Sequence, residues 1–125
     1  MNWRDDRGSS VVEFALVAPL LLAVAVGVLQ VVLALHVRST LTAAAAEGAR
    51  AGALAGSSTL VAERRTRGVL ADALGGEAAE SVSAQRIRLD GVPVVRVSVT
   101  GRLPLIGLLG PSTLTVDGHA MQEIP

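Results

Sequence analysis

The feature that most constrains this chain is an uninterrupted apolar run near its N-terminus. Between Phe14 and Leu35, nineteen of twenty-two residues are apolar and none is charged. A helix of this length rises about 33 Å, enough to cross the roughly 30 Å hydrocarbon core of a bilayer. A cleaved secretory signal is the alternative interpretation. The apolar segment of such a signal is shorter than this run, however, and it ends at a small-residue cleavage site. The run therefore predicts one membrane-spanning helix, which continues as helix through residues 41–55.

Composition excludes several classes of function. The 125 residues include eleven cationic and eleven acidic ones, and no Cys. Because all the cations are Arg, a Walker-type phosphate loop and a Schiff base, which both need Lys, are impossible. The lack of Cys removes disulfide frameworks, zinc-thiolate sites and iron-sulfur clusters. A neutral chain whose only aromatic residues are Trp3 and Phe14 lacks the charge and the stacking platforms for direct nucleic-acid binding.

Catalytic chemistry has little support in the sequence. His36 and His119 are isolated, no pair of His stands at metal-ligand spacing, and no G-x-S-x-G or dinucleotide fingerprint occurs. Asp117 shares a strand face with His119, but the two lack a nucleophile. We therefore expect no catalytic residue, metal, cofactor or small-molecule substrate, and we expect that the protein is not an enzyme.

Glu13 is the one acid at the start of the apolar helix. A carboxylate within a spanning helix costs about 2–3 kcal/mol, so it is normally paired, protonated or functional. The alternative is a first-turn Glu at the membrane interface, favoured by the helix dipole. The stretch Gly8-Ser9-Ser10-Val11-Val12-Glu13-Phe14, directly before a span, resembles the processing site of type IV pilins. The resemblance implies cleavage by a prepilin peptidase between Gly8 and Ser9, with Glu13 as the carboxylate that pairs with the new amino terminus of a neighbouring subunit.

Two stretches narrow this resemblance. The first is R-G-S-S-V-V-E-F-A-L-V-A-P-L-L-L at residues 7–22, and the second is Glu47-Gly48-Ala49-Arg50 beyond the span. Together they resemble the TadE-like family of the tight-adherence (Tad/Flp) pilus system, whose members are described as minor pilins or pseudopilins with an N-terminal anchor and a small extracytoplasmic domain. The major pilins of this system typically have Tyr after the Glu and are about half as long. Phe14 and the length of this chain therefore favour a minor component.

Two sets of residues are predicted to mediate packing. Small residues recur every fourth position along the span, a row that lets another helix approach closely, although an Ala-rich chain also produces such rows by chance. Beyond the span, the residues at 47–50 are interpreted as a packing signature against the domain or a neighbouring subunit, or else as a solvated helix face in which Gly48 is merely tolerated. The spacing of Glu47 and Arg50 allows a modest surface pair. The predicted helix-packing residues of the span are Phe14, Ala15, Pro19, Ala23 and Gly27.

The remaining sequence predicts a small α+β domain. Gly56-Ser57-Ser58-Thr59 ends the first helix and caps a second one at about residues 60–74, which stops at Gly75-Gly76. Apolar and polar residues alternate on both sides of an Asp90-Gly91 turn, which predicts a hairpin. Leu114–Met121 is predicted to form a last strand that bends or bulges at Asp117-Gly118. The apolar loop at 105–109 is too short to span a membrane. By default it covers the sheet, with lipid or another subunit as the alternative.

The fold class is therefore α+β: a long N-terminal transmembrane helix continuing into a small ectodomain with a second helix and a roughly three-stranded antiparallel sheet. We divide the chain into a hydrophilic leader (1–8), the transmembrane helix (9–37), its extramembrane continuation (38–56) and a small extracytoplasmic domain (57–125). The last segment has 69 residues and neither a disulfide nor an aromatic residue, so we expect it to pack on the continued first helix.

The function expected from these observations is that of a TadE-like minor pilin or pseudopilin. It would be a single-pass protein of the bacterial cell membrane, with its N-terminus cytoplasmic and its C-terminal domain outside. Its expected partners are membrane lipid, other pilins or pseudopilins, the pilus assembly platform and the prepilin peptidase. The alternative is an uncleaved, membrane-tethered scaffold or binding module of the cell envelope.

Overall fold

The computed structural model describes residues 3–75, 79–103 and 112–123. Two helices precede three strands, which confirms the α+β class. The chain divides into two compact units, Met1–Val32 and Leu33–Pro125. The predicted loop at 105–109 and Gly76 lie outside the described residues. The elements are α1 (Trp3–Ala53), α2 (Thr59–Leu74), β1 (Ala79–Leu89), β2 (Val92–Leu103) and β3 (Ser112–Met121).

The first unit consists of the N-terminal part of α1. This helix is long and apolar enough to cross a membrane, the single such helix in the described part of the chain, and its most apolar stretch has no buried residue. Pro19 lies within the helix. Large side chains such as Phe14 and Leu16 are 74% and 71% exposed. Apolar residues exposed on all sides are what a helix in contact with lipid requires.

In the second unit, the strands form one antiparallel sheet in the order β1-β2-β3. Val97 at the centre of β2 pairs with Ala84 of β1 and Gly118 of β3. The β1–β2 connection is the predicted Asp90-Gly91 turn, with φ of 51° and 81°. A two-residue type I′ hairpin needs positive φ at both positions, which Gly and Asp tolerate. The predicted hairpin is therefore confirmed.

Helix α2 begins and ends where its capping residues stand. The Ser58 side chain accepts a hydrogen bond from the N–H of Val61, and Gly75, with φ of 89°, donates its own N–H to the carbonyl of Ala71. These contacts satisfy main-chain groups that a helix terminus leaves unpaired. The predicted second helix and both of its ends are confirmed to within one residue.

The core lies between the two helices and one face of the sheet. It is built from small and β-branched residues because the chain offers no aromatic residue after position 14. As expected from the size of the C-terminal segment, α1 supplies much of this core. Its buried members are Leu41, Ala44, Ala45, Ala49 and Ala53 of α1, Ala62 and Leu70 of α2, and Val82, Val95, Val97, Val99 and Val116 of the sheet.

The predicted bend or bulge at Asp117-Gly118 is wrong. The β2–β3 register continues without a shift through Gly118, which pairs with Val97. Gly118 instead faces the main chain of α1, where a Cβ would lie 2.7 Å from the carbonyl oxygen of Ala45. A glycine within a strand marks either a bulge or a close approach by another backbone, and here it is the approach.

Candidate functional site

The predicted processing site lies within α1. Gly8 and Ser9 are both helical and exposed. This differs from the extended backbone expected of a scissile bond, because residues 3–53 form one helix. Open space surrounds Gly8, with no atom within 4 Å of a Cβ built there. A peptidase would have to unwind this turn, and Gly8 lowers that cost because Gly is about 1 kcal/mol less favourable than Ala in a helix.

Glu13 lies one helical turn after Ser9. Residues four apart in a helix are neighbours on its surface, so a charge at Ser9 and the Glu13 carboxylate share one face. Glu13 is exposed, and no ion pair engages it within the described segments. Phe14 beside it is 74% exposed. The carboxylate is therefore available to a group outside this chain.

The predicted packing row of the span is exposed along its length. Ala15, Pro19, Ala23 and Gly27 are all exposed, and a Cβ at Gly27 would meet no atom within 4 Å. At four-residue spacing they follow one side of the helix. The row is therefore accessible to a second helix.

The residues at 47–50 differ in how deeply they are buried. Gly48 and Ala49 are buried, whereas Arg50 is exposed. Glu47 forms its ion pair with Arg65 of α2, and not with Arg50, whose spacing along the helix would also allow a pair. Most of this motif therefore joins α1 to α2.

The close approach of α1 and α2 depends on two glycines one turn apart. A Cβ at Gly48 would lie 2.8 Å from the carbonyl oxygen of Ala62, and one at Gly52 would lie 2.6 Å from the Ala62 Cβ. Thr66 fills the space beside Gly48, fully buried, and donates its hydroxyl to the Ala62 carbonyl at 2.8 Å. Gly52, Ala62 and Thr66 were not singled out from the sequence. The sequence feature that could have indicated this contact is the four-residue spacing of Gly48 and Gly52, which places two small residues on one face of α1.

The polar face of the sheet, opposite the helices, carries the two residues considered for catalysis. Asp117 accepts a hydrogen bond from the Ser98 hydroxyl at 2.6 Å. His119 is exposed and pairs in register with Arg96. In the residues searched, those that the structure describes, no group of three or more His, Asp or Glu could hold a metal ion.

With these positions established, comparison with known proteins identifies the N-terminal segment. Residues 8–50 match the family model described as TadE-like protein. This segment is TadE-like. The match begins at Gly8, ends at Arg50 and contains the apolar helix with Glu13, so the resemblance expected from the sequence is confirmed. No curated protein and no solved structure gives a significant match.

The TadE-like match and the apolar helix together fit a membrane-anchored Tad component. The matched segment supplies the candidate membrane span and the α1 half of the α1–α2 contact, including Gly48. The strands lie outside it. The family match thus covers the candidate membrane span and most of the α1 residues that contribute to the core.

Proposed function

We propose that the protein is a minor pilin or pseudopilin of a Tad/Flp pilus or a related secretion apparatus, and that a prepilin peptidase cleaves it between Gly8 and Ser9. The observation that carries the proposal is the TadE-like match over residues 8–50, in which Glu13 directly precedes the exposed apolar stretch of α1. The protein acts through assembly and carries out no catalysis.

The chemistry of the step gives Glu13 its role. Hydrolysis of the Gly8–Ser9 bond adds water and leaves a carboxylate on Gly8 and an ammonium on Ser9. A carboxylate in a membrane is costly unless it is paired. The ammonium of a neighbouring subunit supplies a partner only when the subunits assemble in register, so pairing selects the correct arrangement.

The partners follow from this role. Other pilins or pseudopilins pack along the row that contains Ala15, Ala23 and Gly27, since small residues allow close helix contact in lipid. The assembly platform and the prepilin peptidase act on the same anchor. The N-terminus lies in the cytoplasm, and the C-terminal domain at residues 57–125 lies outside it.

A second candidate is an uncleaved, membrane-tethered scaffold or binding module of the cell envelope. The helical conformation of Gly8 and Ser9 favours it, because a peptide bond inside a helix resists proteolysis until the turn unwinds. In that case Glu13 would only mark the start of the helix at the interface.

The role of Glu13 is tested with Glu13→Gln, which keeps the size of the side chain and removes its charge. We expect processing to continue and incorporation into pilus or assembly complexes to fall by about tenfold. Glu80→Gln, which removes one exposed charge paired with Arg102, is the control and should assemble normally. Normal assembly of Glu13→Gln would contradict the pairing role.

A further inference from the structure

The two edges of the sheet differ in how their main-chain groups are satisfied. On β1, the outward N–H of Ala84 donates to the Glu63 carboxylate of α2 at 3.2 Å, and the side chain of Arg86 crosses to the Ser57 carbonyl before α2 at 2.8 Å. On β3, no side chain or other segment within the described ranges bonds to the outer edge. One edge is therefore covered and the other is open.

The register fixes which groups of β3 point outward. Two residues opposite each other in an antiparallel pair direct their main-chain groups either at each other or both away. Since the Ala84 N–H points away from β2, its partner Val97 directs its groups at Gly118 on the other side. Alternate residues of β3 then face the open edge. They are Thr113, Thr115, Asp117, His119 and Met121.

Within the described residues, the open edge lacks most of the usual protections. Native sheets blunt exposed edges with short strands, Lys, Pro or bulges. β3 is 10 residues long, contains neither Lys nor Pro, and pairs with β2 without a register shift. Its one carboxylate, Asp117, already accepts from Ser98. A regular strand of this length is a template for another strand.

Arg50 lies beside one end of this edge. It lines a cavity of ≈ 240 Å³ together with Leu54 and the β3 residues Ala120 and Met121. On α1, Arg50 is about 200° around the helix from Gly48, so it lies on the flank away from α2. Its guanidinium has no ion pair or hydrogen bond with the described residues. The Glu123 carboxylate at the same cavity accepts the N–H of Ala55.

We propose that the outer edge of β3 and Arg50 form a docking site for an extended, acidic segment of another protein. The segment adds a fourth strand to the sheet, as in β-strand addition, and places a carboxylate against Arg50. Leu54 and Met121, 55% and 73% exposed, supply apolar contact at the cavity.

A second copy of β3 does not fit this site. The face of β3 that lies toward α1 and Arg50 carries Leu114, Val116, Gly118 and Ala120, and no carboxylate. Asp117 lies on the opposite face of the strand. Pairing between two β3 edges would therefore bring no β3 carboxylate to Arg50, which favours a different chain as the occupant.

The test uses the full chain in lipid nanodiscs and a displayed library of random peptides of about ten residues, the length of β3. Enriched peptides are synthesised and their affinities measured against four variants. Thr115→Pro removes an outward N–H, and Thr115→Val is its control because it loses the same hydroxyl but keeps the N–H. Arg50→Gln removes the cation, and Arg64→Gln removes an exposed cation of α2 as its control.

We expect enriched peptides to share an acidic residue and to bind Thr115→Pro and Arg50→Gln about tenfold more weakly than the unmodified chain. Both controls should bind within about twofold of it. Hydrogen exchange gives a readout that needs no variant: peptide binding should slow exchange at Thr113, Thr115 and Asp117.

Three results would overturn the proposal. One is that no peptide is enriched above background. Another is that the enriched peptides bind Thr115→Pro and Arg50→Gln as tightly as the controls, or leave exchange on β3 unchanged. The third is a dimer of the chain itself that Thr115→Pro dissociates, which would assign the edge to a second copy.

Discussion

Gly118 of β3 lies against the main chain of α1 at Ala45, where a Cβ would come within 2.7 Å of the Ala45 carbonyl oxygen. The contact is backbone to backbone, so no flexible side chain can move aside. It lets α1 approach the sheet closely enough for Ala44, Ala45 and Ala49 to be fully buried. A core without large side chains depends on such close approaches to exclude water.

Gly118→Ala should therefore destabilise the unit Leu33–Pro125 by about 1–3 kcal/mol, the usual cost of overpacking. The matched control is Gly68→Ala on α2, where a Cβ meets no atom within 4 Å. This control should stabilise the helix by about 0.5–1 kcal/mol. Denaturant titration in detergent, followed by circular dichroism, measures both changes in the free energy of unfolding. If Gly118→Ala were no less stable than Gly68→Ala, the close packing would be refuted.

Gly48→Ala should loosen the contact between α1 and α2. The added methyl would lie 2.8 Å from the Ala62 carbonyl and would also meet Thr66. We expect a loss of about 1–3 kcal/mol in the free energy of unfolding. Thr66→Val, which keeps the volume and removes the hydroxyl, should cost less than about 1 kcal/mol. If the second variant costs more than the first, the hydroxyl and not the close approach stabilises this contact.

Glu63→Ala should uncover the outer edge of β1. The Glu63 carboxylate accepts the N–H of Ala84 at 3.2 Å, on the outer side of β1. Amide exchange at Ala84 should accelerate about tenfold, in line with the loss of one hydrogen bond to a charged group. Glu80→Ala, which removes a carboxylate bonded to Arg102, should leave exchange at Ala84 unchanged. Equal rates in the two variants would show that Glu63 does not cover the edge.

The elements with strong local signals could be predicted from the sequence. The long apolar run, the caps at Ser58 and Gly75 and the Asp90-Gly91 turn each act through nearby residues, and the structure has them where expected. Local chemistry fixes such features because propensity, periodicity and turn geometry agree.

Contacts between distant elements were harder to predict. Gly118 was interpreted as a bulge because a glycine in a strand has two explanations, and only the position of α1 decides between them. The spacing of Glu47 and Arg50 allowed a surface pair, but Glu47 pairs instead with Arg65, which α2 brings close. The partner of Glu63 on β1 likewise depends on how α2 lies along the sheet.

The candidate assembly site divides in the same way. Gly8 and Glu13 were identified through the resemblance to type IV pilins, and the small residues of the span from their spacing. All of them are exposed. The open edge of β3 could not be anticipated, because which strands become edges is a property of the sheet order.

The central claim is that this chain is a processed, membrane-anchored pilin. The most direct measurement is N-terminal mass spectrometry of the full chain after co-expression with an active prepilin peptidase, beside an inactive peptidase as the control. We predict a mature chain that begins at Ser9 only with the active enzyme. Persistence of residues 1–8 in the presence of the active enzyme would contradict the claim and favour the uncleaved envelope module.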